Sequence, residues 1–430
     1  MKDRLSDKER ITDWTALGLI LLLAIFYILT LPGVPFHPDE STHLYMSKDL
    51  FTFIRDPLAL SWDGTSPLDS EERIRAIDAP LAKYLIGAAR GLFSVPALPA
   101  DWNWSASWSE NKGAGALPTG SQLLAARAAI TLPLVVALWF YYLALKRSLP
   151  GYAGAAAILL FGLNPLVLLH GRRAMSEGVL LFSLGFFLWA ATRQKRQPWL
   201  IGLAFAFALN SKHTALALLP AALYAVSLVP DQKNTLTKSG GRILQFGLVA
   251  AALTILLNPF YWQRPLQALG VGLDARMSLA RQQGIDHLAP GGWDQLDVGQ
   301  RAAALLANTF VAVPQTEEVG NYLKATQQSR QEYLTNPVHT WGRGFIGGGI
   351  LLIFTLVGLV VTALQLPSSS RMQKTNTWIW ILSTLGMVLV LLFPLPWQRY
   401  VVPLLPLSVF WIISGLAPGI KALQGDKQPS

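Results

Sequence analysis

The stretch Pro35 to Lys48, PFHPDESTHLYMSK, follows directly on the first long apolar run, Trp14 to Leu31. It sets two adjacent carboxylates, Asp39 and Glu40, just beyond the point where the chain must leave a bilayer. An ionised side chain immersed in hydrocarbon costs about 2.5 to 3.5 kcal/mol or more, so a carboxylate pair there needs water, a cation or a substrate. The pair is therefore read as the chemical centre, and the surrounding apolar segments as its housing.

Outward from this stretch, composition sets the class. The chain has 430 residues, 52% hydrophobic and 14% charged, against about a quarter charged in ordinary soluble proteins. That identifies an all-α polytopic membrane protein. A formal net charge of +10 raises the question of nucleic acid, but the basic residues fall in short clusters between apolar runs and form no stripe. Cysteine is absent, so neither disulfides nor thiolate metal sites are available. Fifteen Trp suit a chain with much of its length at membrane interfaces.

Lys2, Arg4, Lys8 and Arg10 precede the first run, which is too long for a signal-peptide core and is read as a retained helix with its N-terminus inside. Further spans are expected over Leu123–Leu145, Gly154–Leu169, Val179–Ala191, Leu200–Leu209, Thr214–Val229, Ile243–Leu257, Phe345–Leu364, Thr377–Phe393 and Val401–Leu416. The pair around Asn210 can also be one kinked helix. Several are shorter than the ~20 residues a span needs, so they must tilt, thin the bilayer or pack around a polar cavity. With about ten helices and both termini cytoplasmic, the clusters Lys146/Arg147, Arg193/Lys195/Arg196, Lys233/Lys238/Arg242, Arg371/Lys374 and Lys421/Lys427 all fall inside, as the positive-inside rule asks. The chain reads as one membrane domain, 1–430, whose two long loops, 32–122 and 259–344, are both external. Surface-lying helices are expected in the first loop over Asp39–Ile54 and Ala79–Phe93. In the second loop helices are expected over Leu273–Gln283 and Val319–Tyr333, with a turn-rich APGGWDQ between them. Only Met1–Arg10 and Gln424–Ser430 look free.

Four polar groups lie near the outer ends of these spans: Asp39 and Glu40; Asp78, Lys83 and Tyr84 in DAPLAKYLIG; His170, Arg172, Arg173 and Glu177 in LLHGRRAMSEGVLLF; and Lys212 with His213, paired with Arg399 and Tyr400 in PLPWQRYVVPLLP. Acids and cations converging on one outer cavity suit transfer from an anionic lipid carrier to a hydroxyl. The carboxylate takes the acceptor's proton, and guanidinium and ammonium groups stabilise a departing phosphate in a water-poor site. Structural readings stand beside these. Asp39 and Asp78 can each N-cap the helix they begin. Arg172 and Arg173 can snorkel to the interface, and Lys212 and Arg399 can be interfacial cations. His43, His170, His213 and His287 lack metal-ligand spacing. The Trp102–Trp108 cluster fits an interface anchor better than a sugar platform.

The order of apolar helix, acidic pair, DAPLAKYLIG, RRAMSEGVLLF, a Lys in a broken helix and a late WQRYVVPLLP resembles the integral-membrane GT-C glycosyltransferases that use polyprenyl-phosphate sugars, in particular the protein O-mannosyltransferases and the lipid A aminoarabinose transferase. The resemblance implies a GT-C helix bundle, a polyprenyl-phosphate sugar donor, a protein, lipid or glycan acceptor, no nucleic acid, and inverting transfer at the outer face of the cytoplasmic membrane. It matches Asp39, with Glu40 beside it, to the family's catalytic acid. It matches Pro80 and Lys83 to a Pro-Leu-x-Lys motif, and Arg172 or Arg173 with Glu177 to an Arg and acidic pair. Asp78-Ala79 stands where the mannosyltransferases often carry His-Pro. Arg172, Arg173, Lys212, Arg399, Tyr400 and Lys83 are then the expected donor-phosphate residues, with Asp78 and Glu177 as supporting acids. No motif fixes a metal, and a divalent cation shared between acids and phosphate is compatible with this set. The rival is a polytopic transporter or lipid flippase, which would show paired broken helices in two related halves; no such halves are visible.

Overall fold

A computed structural model describes residues 7–65, 67–149, 152–228, 236–287, 296–318 and 320–423. Among these residues the chain is helical without strands. Six helices are long and apolar enough to cross a bilayer: Glu9–Leu29, Gly120–Leu145, Lys238–Leu257, Gly344–Gln365, Arg371–Leu391 and Gln398–Ala417. Four shorter apolar ones accompany them, Ala153–Gly162, Ser176–Thr192, Pro198–Ser211 and His213–Ser227. The protein is an integral membrane protein.

Its centre is the helix Gly120–Leu145 packed along Ser176–Thr192. Leu134, Ala137, Leu138 and Tyr141 meet Leu181, Leu184 and Leu188, all fully or almost fully buried. Aliphatic association gains little in lipid, so close backbone approach has to supply contact. Gly358 and Gly415 do this between Gly344–Gln365 and the last helix: a Cβ on Gly358 would overlap the Trp411 carbonyl, and one on Gly415 would lie 2.6 Å from the Phe354 carbonyl oxygen.

One expected span is broken, and proline explains it. Gly154–Leu169 divides into Ala153–Gly162 and Pro165–His170. Pro165 offers no N–H to continue the helix and pushes Asn164 to ψ 126°. Asn164 then caps the new helix by accepting from the Leu166 N–H at 3.0 Å. The expected span Val401–Leu416 lies within the continuous stretch Gln398–Ala417, whose first part, Gln398–Leu404 with Pro403 inside it, is wound as a 3-10 helix before Leu405–Leu423. Around Asn210, Pro198–Ser211 ends at an extended Lys212 (φ −164°, ψ 134°), and a 3-10 turn, His213–Leu218, restarts the chain.

The first helix covers Asp7–Leu29, so Asp7 to Arg10 are helical rather than free. Asp39–Ile54 is two helices, Pro38–Met46 and Asp49–Arg55, and Ala79–Phe93 is Leu81–Leu92. Leu273–Gln283 belongs to a longer helix, Pro265–His287. The helix expected from Val319 starts only at Gln327 and runs to Thr335, because Gly320 takes φ +119° and residues 321–326 are turns. The APGGWDQ turn, the His287 side chain and the end Gln424–Ser430 lie outside the described residues.

The two long loops lie against each other. The Trp62 N–H donates to the Phe260 carbonyl (3.3 Å), and the Gln263 N–H to Ser61 Oγ (3.0 Å). Within the first loop, Arg75 makes a two-pronged pair with Asp49 (3.0 and 2.9 Å) and reaches Glu71, which also binds Lys48 and Tyr45 at 2.6 Å each. The helix Ser70–Ile77, which carries Glu71 and Arg75, is thereby stapled to Pro38–Met46 and Asp49–Arg55. The whole loop is rooted on the bundle by Glu40 and Arg127. Arg127 Nε and Nη2 donate to Glu40 Oε1 and Oε2, each at 2.8 Å. Its Nη1 donates to the carbonyls of Val34 (2.7 Å) and Leu31 (3.2 Å). Both side chains are all but inaccessible, 0% for Glu40 and 3% for Arg127.

Removing one member of such a buried pair leaves an uncompensated charge and costs about 3 to 5 kcal/mol, whereas replacing both with apolar groups is often near neutral. Arg127→Met is expected to lower the unfolding midpoint in detergent by several degrees or more, and Glu40→Leu combined with Arg127→Met to recover much of the loss. If the double variant is no more stable than the single one, the pair does not carry this role.

Candidate active site

Asp39 is the second residue of the helix Pro38–Met46. That helix is opened by a capping box: His37 Nδ1 accepts from the Asp39 N–H (3.2 Å), while the His37 N–H donates to Glu40 Oε2 (3.0 Å). With the cap supplied by His37, the Asp39 carboxylate is not used as a helix cap and stays partly open, 24% exposed. It pairs with Arg399 Nη1, which comes from a segment 360 residues later. Arg399 Nε lies 3.1 Å from Glu318 Oε1, and His37 Nε2 lies 3.8 Å from Glu318 Oε2. One guanidinium is thus flanked by two carboxylates from the two loops.

Gln398, fully buried, holds this arrangement. Its Nε2 donates to the carbonyls of Ala312 (3.2 Å) and Val313 (3.0 Å), and its Oε1 accepts from the Gln315 N–H (2.5 Å). The segment leading to Glu318 is thereby pinned beside Arg399. On the bundle side, Lys212 Nζ is 2.7 Å from Glu177 Oε1, both largely buried. Both cations lie close to the Tyr400 ring, Lys212 Nζ 4.8 Å and Arg399 Cζ 5.5 Å from its centroid. The break at Lys212 makes this geometry: a continuous helix would not stand an extended residue opposite Glu177.

Of the expected site residues, Asp39, Glu177, Lys212, Arg399 and Tyr400 come together. Glu40 does not share the pocket with Asp39 as an assisting acid: its two oxygens accept from Arg127, His37 and the Ala174 N–H (2.9 Å). Arg172 and Arg173 are not poised for a donor phosphate either, since both are fully buried and bind protein oxygens. Arg172 donates to the Leu168 carbonyl (2.6 Å) and to Thr30 Oγ1 (2.5 Å). Arg173 donates to the carbonyls of Pro35 (3.1 Å) and Thr316 (2.5 Å), tying the two acid-bearing segments together. Asp78 and Lys83 form a second cluster. Lys83 Nζ donates to the Asp78 carbonyl (3.1 Å), and with Asp49, Arg75 and Asn258 they line a small cleft.

Three participants escaped the sequence reading. Glu318 stands in a Glu317-Glu318 pair of the second loop, a signal of the same kind as Asp39-Glu40. His37 directly precedes the acidic helix. Asp101 accepts from the Trp102 N–H at 2.7 Å and lies within electrostatic reach of Asp39 and His43. Burial, with the Asp39 charge added, pushes the Asp101 carboxyl above the usual range despite a Thr42 hydrogen bond. For Asp39, burial pushes upward but the Arg399 charge and hydrogen bond, with His37 and His43, more than offset it, so this carboxyl sits well below the usual range. No three His, Asp or Glu side chains among the described residues form a cation-binding set. Glu40 and Glu177 are committed to Arg127 and Lys212.

Residues 115–262 match the family model described as dolichyl-phosphate-mannose-protein mannosyltransferase. No curated protein sequence matches the chain. Among solved structures, the apo oligosaccharyltransferase of Archaeoglobus fulgidus is similar at a TM-score of 0.52 and 13% identity, over 95% of this chain and 51% of that one. The S. cerevisiae protein O-mannosyltransferase Pmt1–Pmt2 complex bound to the sugar donor gives a TM-score of 0.35 at 14% identity, over 61% and 34% of the two chains. ArnT from Cupriavidus metallidurans bound to undecaprenyl phosphate gives 0.34 at 14% identity, over 92% and 78%. The chain spans about half the length of the archaeal oligosaccharyltransferase it matches. The GT-C resemblance read from the sequence therefore holds at the level of fold, and the family model covers the segment from just before the central helix to the start of the second loop.

A depressed carboxyl contributes stability above its unfolded value, about 3.9, and loses it as the pH falls toward the folded value. The Asp39 contribution is therefore complete near neutrality and declines from about pH 4 downward. Between pH 6 and pH 3 the unfolding midpoint of the wild type is expected to fall further than that of Asp39→Asn; parallel profiles would remove the pair from the stability balance.

Proposed function

We propose that this protein is a glycosyltransferase that moves a sugar from a polyprenyl-phosphate donor to an acceptor hydroxyl on the outer side of the cytoplasmic membrane. The observation that carries this reading is the Asp39–Arg399–Glu318 cluster, joined through Tyr400 to Lys212 and Glu177. It sets an ionised acid beside cations at the junction of the bundle and the two long loops. The family description over residues 115–262 supports a dolichyl-phosphate-type donor. With the basic clusters inside, the junction faces outward and both termini are cytoplasmic.

The acceptor oxygen attacks the anomeric carbon, and the bond from that carbon to the phosphate oxygen breaks with its electron pair going to phosphate. The acceptor proton passes to Asp39. A single displacement of this kind inverts the anomeric centre. Arg399 and Lys212 stabilise the charge on the departing lipid phosphate, a task suited to preorganised cations in a water-poor pocket. Paired with Arg399, Asp39 is a weak base. A phosphate that draws the guanidinium toward itself raises the basicity of Asp39 at the moment the base is needed, so the donor binds first. Glu40, Arg127 and Arg173 act as positioning residues, because they fix the Asp39 helix and the Glu318 segment without facing the pocket.

The test is incubation of the purified protein in lipid nanodiscs with a panel of labelled polyprenyl-phosphate sugars and membrane-derived acceptors. Transfer of one label is expected, lowered by about 10²-fold or more in Asp39→Asn with donor binding retained, whereas Arg399→Gln is expected to weaken donor binding. Full turnover by Asp39→Asn would sink the role of the base, and no transfer with any donor would sink the reading.

A further inference from the structure

The loop 101–107 carries an exposed indole that neither the bundle nor the proposed chemistry uses. Trp104 is 45% exposed while its neighbour Trp102 is 3% exposed. An open aromatic ring on a slack loop would mean little, but this loop is tightly held. Asn111 Oδ1 accepts from the Asn103 N–H (2.8 Å), and its Nδ2 donates to the Asn103 carbonyl (2.9 Å). Asn321, from the second long loop, donates to the Asn103 carbonyl (2.8 Å) and also to that of Ala106, and its Oδ1 accepts from Trp102 Nε1 (3.0 Å). Trp102, Trp108 and Phe36 pack together behind it.

The ring itself is seated as firmly. It rests over Gly320, where a Cβ would come within 3.0 Å of the indole, and the positive φ of Gly320 (+119°) favours glycine there independently. It meets Tyr322 and His37 edge-on, each at 6.4 Å between centroids. His37 in turn lies 3.9 Å from the Asp39 carboxylate and 3.8 Å from that of Glu318, and Asp101 is three residues away in the same loop. The held indole is thus linked through His37 to the carboxylates of Asp39 and Glu318, with Asp101 in its own loop, whereas Lys212 follows directly on a helix of the apolar bundle.

We propose that Trp104 is the stacking platform for a pyranose ring of the acceptor, so that the acceptor is a glycan or glycolipid rather than a protein hydroxyl; this rests on the glycosyltransferase reading above. One face of a pyranose is a plate of weakly positive C–H groups, which matches the negative face of an indole and buries apolar area against it. The ring's hydroxyls need acceptors around its edge, and Asp39, Asp101 and Glu318 supply them. The two ends of the site then divide: the lipid phosphate lies toward Lys212 and Arg399, and the incoming sugar enters from the loop side, with Asp39 between them to take the proton.

The test has two independent readouts on the full chain in detergent micelles. The first is saturation-transfer difference NMR with mannotriose and chitotriose as probes, which needs no turnover. Signal on the ring protons of at least one probe is expected for the wild type and for Trp104→Phe, and its loss for Trp104→Ala. Retention of the signal in Trp104→Ala, or no signal with either probe in the wild type, would overturn the platform. The second readout is transfer to the glycan acceptor: Trp104→Ala is expected to raise the acceptor KM about tenfold, the equivalent of one stacking contact, with the donor KM within about twofold, and Trp104→Phe to restore most of the loss. An unchanged acceptor KM in a variant that still turns over would reject the platform and leave the glycosyltransferase reading standing. NMR binding without transfer from any donor would do the reverse.

Discussion

The two-pronged pair between Glu40 and Arg127 is the interaction on which the rest of this structure depends. Arg127 lies near the start of the central helix Gly120–Leu145, and Glu40 in the first helix of the external loop. Each is out of reach of water, where a lone charge would be intolerable and an imperfect pair costly. The pair avoids both penalties because the oxygens of Glu40 accept four N–H groups and Arg127 donates in addition to two carbonyls. Burial pushes the Glu40 carboxyl upward, but Arg127 and Arg173 hold it below the usual range. A loop tied this way cannot slide along the bundle, and the residue before Glu40 is therefore presented at a fixed place.

That explains why two adjacent acids have opposite fates. On a helix, neighbouring side chains point about 100° apart, so when Glu40 faces the bundle Asp39 faces away from it. His37 takes over the capping that Asp39 would otherwise provide, and the Asp39 carboxylate is left for Arg399. Arg173 repeats the logic one layer out: by donating to carbonyls at Pro35 and Thr316 it joins the segments that carry Asp39 and Glu318. The buried arginines build the pocket, and the partly exposed one lines it.

How much of this was legible follows from the kind of signal each feature leaves. Long apolar runs, alternating basic clusters and the acidic pair after the first span showed the membrane class and the position of Asp39, because those features are local in sequence. The surface helices were visible from their spacing, although neither Asp39 nor Asp78 is the cap of the helix it was expected to open. The break at Asn164–Pro165 was written in the proline, but apolar composition outweighed it. The roles of Arg172, Arg173 and Glu40 could not be read, since burial against carbonyls is set by distant segments and an arginine at a membrane edge looks the same whether it meets a phosphate or a backbone oxygen. Glu318 was missed because its meaning depends on Gln398, which holds its segment against Arg399 through contacts more than eighty residues apart.

Around Arg399 and Lys212 stand Asp39, Glu318 and Glu177, so the cations are outnumbered by carboxylates before any ligand arrives. A phosphate entering such a site cannot add a further negative charge at low cost; it has to take over contacts that the carboxylates now hold. Each carboxylate released from a cation becomes more basic, because the opposite charge that depressed it has moved away. In the proposed reaction the exchange that binds a lipid phosphate would therefore also prepare a proton acceptor beside it, coupling the two halves of the displacement by electrostatics without any motion of the scaffold that Glu40 and Arg127 hold in place.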